Sequence, residues 1–196
     1  MSDIIEKDTL LEWCQELVNV HLPRWNELPD IDLYMDQVIT LIERYLAAFA
    51  NDSQDNIITA AMINNYVKLG IIPKPEKKRY GRIHLAYLLV ITILKQVITI
   101  TEVKDGIFLQ SRLHGEKQAY NDFCEAQEQA FLVATNAIES TVKTDTVFPA
   151  KPIAVSRDTL ALYMATTSFA TKIVTEKIVQ LRLYEVSQEN EFETKD

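Results

Sequence analysis

Apolar residues recur at spacings of three and four along most of this chain, and only four Gly interrupt its 196 residues. Such spacing gathers apolar side chains on one face of a helix, and the shortage of glycine leaves few tight turns for hairpins. The chain therefore reads as all-α. Its composition, 47% apolar and 24% charged, is that of one or two ordinary globular domains. The longest nearly apolar run, Leu85 to Leu94, has ten residues, against the roughly 20 that a membrane-spanning helix needs. Residues Met1 to Asp8 carry neither a basic n-region nor an apolar h-region, so no secretory signal is expected and the cytoplasm is the expected compartment. Cys14 and Cys124 stand apart with no CxxC pair, which argues for buried free thiols over a disulfide framework.

The helices are read in order. Leu10, Leu11, Leu17, Val18 and Leu22 mark a first helix from about Asp8, ended by Pro23. Trp25, Leu28 and Pro29 form a connector. A second helix starts near Leu33 and carries Val38, Ile42, Tyr45, Leu46 and Phe49 on one face, and Asn51 to Asn56 is turn chemistry. A short third helix runs from Thr59, its N-cap, to Leu69, with Gly70 at the left-handed exit. Ile63, Tyr66 and Val67 face inward there with Met62 or Leu69, leaving Ala61, Asn64, Asn65 and Lys68 outward.

Lys74 to Gly81, punctuated by Pro75 and Gly81, reads as an exposed hairpin or wing with nothing in it to fill a core. An apolar helix over about 82–97 turns Ile83, Ala86, Leu89, Val90, Ile93 and Leu94 to the core. Thr99 and Glu102 have capping-box spacing and open the next helix. After Gly115 comes a helix of about 25 residues in which Tyr120, Phe123, Gln127, Ala130, Ala134 and Ala137 form a weak heptad seam. Lys143 to Ala154 is a connector, and Ser156 caps a last helix carrying Leu160, Tyr163, Ala170, Ile173, Val174, Ile178, Leu181 and Tyr184. An acidic tail from Ser187 frays.

Charge is distributed unevenly. The net charge is −8, but residues 57–95 alone carry +6, from Lys68, Lys74, Lys77, Lys78, Arg79, Arg82 and Lys95 against Glu76. A nucleic-acid partner would therefore meet a local basic patch and not the whole surface. The same cluster is also compatible with a solvated lysine-rich loop.

The run from Met62 to Pro73, followed by Lys78-Arg79-Tyr80, an apolar helix and a capped second helix, resembles the DNA-binding domain of MerR-type transcription regulators. In that family the recognition helix ends in a Tyr and a Gly-Leu-Ile-Pro-like exit, matched here by Tyr66 and Gly70 to Pro73, and the wing carries an Arg-x-Tyr element. Asn64 and Asn65 stand where the family has an Arg and a tyrosine, and Ala47 to Ile58 replaces a short turn. The stretch from Leu33 to Ile107 is similar, closer still, to a bacterial family catalogued as domain of unknown function 1836, itself considered MerR-like. The resemblance implies a winged helix-turn-helix fold contacting double-stranded DNA through Ala61, Asn64, Asn65, Lys68, Lys77, Lys78, Arg79, Tyr80 and Arg82. Asn64 and Asn65 have the donor-acceptor amide that reads adenine, whereas the lysines and arginines would position the protein on phosphates or in a minor groove. Tyr66 is expected to pack its ring inward.

Nothing points to an enzyme. GxGxxG, P-loop, HExxH and GxSxG motifs are lacking, and His21, His84 and His114 lie too far apart for metal-ligand spacing. No cofactor is implied. The Thr166-Thr167-Ser168 cluster reads as a small-residue helix contact. The expected organisation is an N-terminal helix and connector (1–30), a MerR-like winged helix-turn-helix domain (31–113), a helical dimerisation or sensing region (114–186) and the tail (187–196). The functional expectation is a dimeric, cytoplasmic, sequence-specific DNA-binding transcription regulator. Its rival is a helical protein-interaction module whose basic surface binds an acidic partner.

Overall fold

The computed structural model describes residues 2–49, 57–144 and 155–181. The turn at Asn51 to Asn56, most of the connector before Ser156, Tyr184 and the acidic tail lie outside the described residues. Those residues form seven α-helices and two isolated β-bridges, so the chain is all-α as its spacing predicts. No helix among them is long and apolar enough to cross a membrane.

Helix α1 spans Ser2–Val18. It stops short of Pro23 because Asn19 takes over the exit, its backbone N–H and side-chain amide both donating to the Gln15 carbonyl at 3.2 and 2.8 Å. Helix α2, Met35–Tyr45, starts two residues later than its apolar pattern suggests. Leu33 is held instead in an antiparallel bridge with Tyr80, each N–H donating to the other's carbonyl at 2.9 Å. The Gln37 side chain satisfies the free Tyr34 N–H at 2.9 Å, and after Leu46 the chain tightens into a 3-10 turn at Ala47–Phe49.

Helix α3, Ala60–Lys68, is bounded as its sequence predicts. The Thr59 hydroxyl accepts from Met62 N at 3.2 Å. At the other end the Gly70 N–H bonds Val67 O at 3.1 Å and the Ile71 N–H bonds Tyr66 O at 2.9 Å, a Schellman motif with Gly70 at φ +63°. Ile71 and Tyr66 are both buried, supplying the apolar contact that accompanies such an exit. Ile63 and Tyr66 face inward and Val67 is half-buried, but Met62 and Leu69 are exposed.

Helix α4, Arg82–Leu94, is the centre of the molecule. Its sequence was expected to present one apolar face, yet every residue from His84 to Leu94 except Tyr87 is buried, while Ile83 is only half-buried. A helix apolar nearly all round has to be covered nearly all round, and α2, α5, α6 and α7 do this. Helix α5, Ile100–His114, begins with the expected box: Thr99 N–H donates to Glu102 Oε2 at 2.7 Å, and Glu102 N–H to the Thr99 hydroxyl at 3.3 Å. Gly115, at φ +79°, ends it.

The long helices α6, Glu116–Thr144, and α7, Leu160–Gln180, pack on each other. The α7 N-cap is Thr159, whose hydroxyl Ser156 holds at 2.6 Å one turn upstream of the helix. The seam on α6 is spent within the chain. Tyr120, Phe123, Gln127, Ala130 and Ala134 are buried against neighbouring helices of the same protomer, so this seam is not a free surface for a partner. Phe131 and Phe169 meet at 6.2 Å between ring centres, and Gln127 Nε2 donates to the Thr166 carbonyl at 3.3 Å. Thr166 therefore acts in a helix contact, as expected for its cluster, and Phe169 fills a core position absent from the predicted stripe.

Candidate functional site

The side chains singled out on α3 share one exposed face. Ala61, Asn64, Asn65 and Lys68 are all exposed, and Met62 joins them at its edge. Nothing in the helix competes for the two amides. Helix α3 is placed by its buried residues Ile63 and Tyr66, and burial pushes the Tyr66 hydroxyl above its usual range. Lys104, reaching from α5, donates to the Leu69 carbonyl at 3.1 Å and puts a cation at the C-terminal end of α3, where the helix dipole favours one. Lys104 lies 35 residues from Leu69 in the chain, and no local pattern marks it.

The basic stretch after α3 folds as a turn. Glu76 and Arg79 form an antiparallel bridge, Arg79 N–H donating to Glu76 O at 2.8 Å, with Lys77 at φ +47° and Lys78 at φ +64° between them. Positive φ at both central residues is the type I′ pattern, which Asn-Gly adopts readily and lysine does not. Both lysines are exposed at the tip.

Of the remaining members of the predicted set, Tyr80 and Arg82 serve the fold. Tyr80 is only 3% exposed. Its ring meets His84 edge-on at 5.4 Å and burial pushes its hydroxyl above the usual range. The hairpin therefore does contribute a core residue, and Tyr80 is not available as a surface contact. In its bridge with Leu33, Tyr80 turns inward, opposite its exposed neighbour Arg79. Arg82 is half-buried, its Nε donating to Leu28 O at 3.2 Å and its Nη2 lying 3.4 Å from Asp30. Arg79 is exposed but held, with its guanidinium 4.7 Å above the Tyr34 ring and donating to the Tyr34 hydroxyl at 2.9 Å. Tyr34, half exposed, is a member of this surface that sequence reasoning missed, since its partner lies 45 residues away.

Two of the three histidines are hydrogen-bonded, and His114 Nε2 has only a carboxylate nearby. His21 Nε2 lies 2.8 Å from Glu27, and His114 Nε2 is 3.7 Å from Asp158. His84 Nδ1 accepts from the Gly81 N–H at 3.0 Å, satisfying an orphan donor at the start of α4, and desolvation holds this histidine below its ordinary pKa. Among the described residues no group of three or more His, Cys, Asp or Glu side chains is placed to hold a metal ion.

These features define an all-α protein in which a short helix with an exposed amide face is followed by a lysine-tipped turn. The chain belongs to the family described as domain of unknown function (DUF1836), whose model matches residues 23–123, from the connector through α5 and into α6. Comparison with curated proteins and with solved structures gives no match.

Proposed function

We propose that this protein is a sequence-specific DNA-binding transcription regulator of the bacterial cytoplasm, with a MerR-like winged helix-turn-helix domain over 31–113. In this reading α2 and α3 are the helix-turn-helix, α3 enters the major groove, and the Glu76–Arg79 turn is the wing. The observation that carries it is the turn tip. Two lysines sit in left-handed backbone where glycine and asparagine are relaxed, and such strain persists where a side chain is wanted for what it does. Lys77, Lys78 and the exposed Lys68 supply phosphate contacts along one surface, and Asn64 and Asn65 supply base readout. Arg79, already oriented by Tyr34, holds the flank of the wing.

A homodimer follows from this reading, since symmetric pairs of such domains read pseudo-palindromes. Its interface must use surface other than the α6 seam. The second reading, an interaction module binding an acidic protein, is favoured by one observation: Tyr80 and Arg82, two of the nine predicted contacts, are engaged in the fold itself. Selection of bound sites from randomised duplexes by the full chain separates the two. An enriched sequence supports the regulator, and binding without enrichment supports the module.

A further inference from the structure

Between α4, α5, α6 and α7 lies a cavity of about 570 Å³, within the size range of small-molecule sites. Its walls are apolar, with Val90, Leu94, Ile107, Phe123 and Leu162 among them. Small residues leave the space unfilled. Ala161, Ala165 and Ser168 line it from one face of α7, and Gly106 lines it from α5. A Cβ on Gly106 would meet nothing within 4 Å, so packing does not require glycine at this position, where it weakens the helix.

Gln110 follows Gly106 by one turn on the same face of α5, lines the cavity and is only 8% exposed. Its Nε2 donates to the Asp158 carbonyl at 2.7 Å, and because a carbonyl only accepts, this bond settles which end of the amide is which. Oε1 is the end left over. It is a buried acceptor with no partner among the described residues, a state that a donor arriving with a ligand would relieve.

Among the described residues no lysine, arginine or histidine lines the cavity, so an anionic head group would find no counter-ion. The lining carboxylates Glu102, Asp105 and Glu116 are exposed and spread from the first turn of α5 to beyond its end, so they do not form one site for a cation either. We propose that this cavity binds a neutral apolar alcohol, its hydrocarbon body among the apolar walls and its hydroxyl donating to Gln110 Oε1. The proposal is independent of DNA binding, since it is read by ligand binding alone.

1-Octanol, its isomer heptyl methyl ether, octanoate and octylammonium are of similar length and differ at the head, and calorimetric titration of the full chain with each is the test. The alcohol should bind about tenfold more tightly than the ether, which accepts but cannot donate, and more tightly than either ion. Gln110→Met, close in size, should bring alcohol and ether to within about twofold of each other while both still bind. Gly106→Leu combined with Ala165→Leu, filling the space from two walls, should keep the helical circular dichroism and weaken binding of the alcohol by about tenfold or more. Equal binding of alcohol and ether, tighter binding of either ion, an undiminished preference in Gln110→Met or undiminished binding in the filled variant overturns the proposal. So does a chain that binds none of the four, including one whose doubled mass in solution shows a second copy over the cavity.

Discussion

Arg24 grips Glu128 with both guanidinium nitrogens, at 2.7 and 2.5 Å, across 104 residues of chain. Glu128 also accepts the Leu22 N–H at 2.9 Å, and alongside it Tyr120 donates to Pro23 O at 2.7 Å while Asn121 accepts the Trp25 N–H at 2.9 Å. The irregular connector after α1 is thereby fastened to α6, and with it the strand-like segment at Leu33 on which α2 and the hairpin register.

Glu128→Gln should lower stability by about 1–3 kcal/mol, because it leaves a partly buried guanidinium short of its anion. Burial raises the Glu128 carboxyl, but the Arg24 and Leu22 bonds outweigh it and hold the group below its ordinary range. A depressed carboxyl stabilises the fold above the unfolded value of about 4.3, and the stability is lost as pH falls through the folded value. Urea titrations at neutral pH and below pH 4 should show the gap between the natural chain and Glu128→Gln shrinking in acid.

Lys77→Asn combined with Lys78→Gly should stabilise the protein by about 1 kcal/mol, since the left-handed backbone of the turn then carries residues that accept it. Binding to any duplex should weaken, and the slope of log K against log salt should fall by about two. Denaturation and salt-titrated binding on the same sample measure both. Weakened binding without the gain in stability would show that the lysines are not strained.

Replacing Asn64 or Asn65 by Ala should cost about 1–3 kcal/mol on a selected site and little on random DNA. Specificity is lost while residual attraction survives, the opposite pattern to the lysine variants. Unchanged discrimination in both Asn variants would remove α3 from the role of recognition helix.

Cys124 should be inert in the native protein. Burial pushes its thiol up to about 12, and its Sγ lies 3.7 Å from Pro23 O, so almost no thiolate exists at pH 8. Cys14 is buried as well. A thiol reagent followed by mass spectrometry should label neither rapidly until denaturant is added, and then both.

Much of this architecture was readable locally. Thr59, the Thr99–Glu102 pair, Gly70 and Gly115 each mark a helix end through groups within a few residues, so the boundaries of α3 and α5 followed from them. Ser156 stands three residues short of the helix, its hydroxyl bonded to that of Thr159, the N-cap residue, which makes no side-chain capping bond of its own. The exposed face of α3 was likewise legible, because three- and four-residue spacing separates Ile63 and Tyr66 from Asn64, Asn65 and Lys68.

What a residue does across the chain was not legible. Tyr80 looks like wing surface until its bridge to Leu33 sets which way it points, and the α6 seam looks like a dimer face until α7 and α1 are laid against it. The apolar run of α4 announces burial without saying what covers it.

By itself, then, the sequence determined that the chain is helical, where its short-range caps fall and which stretch is basic, because each rests on interactions spanning a turn or two of backbone. Only the tertiary structure decided that Tyr80 and Arg82 serve the fold, that the seam is consumed inside one protomer and that four helices leave an apolar-walled cavity. Those outcomes depend on surfaces brought together from distant parts of the chain, and local spacing carries no record of which surface meets which.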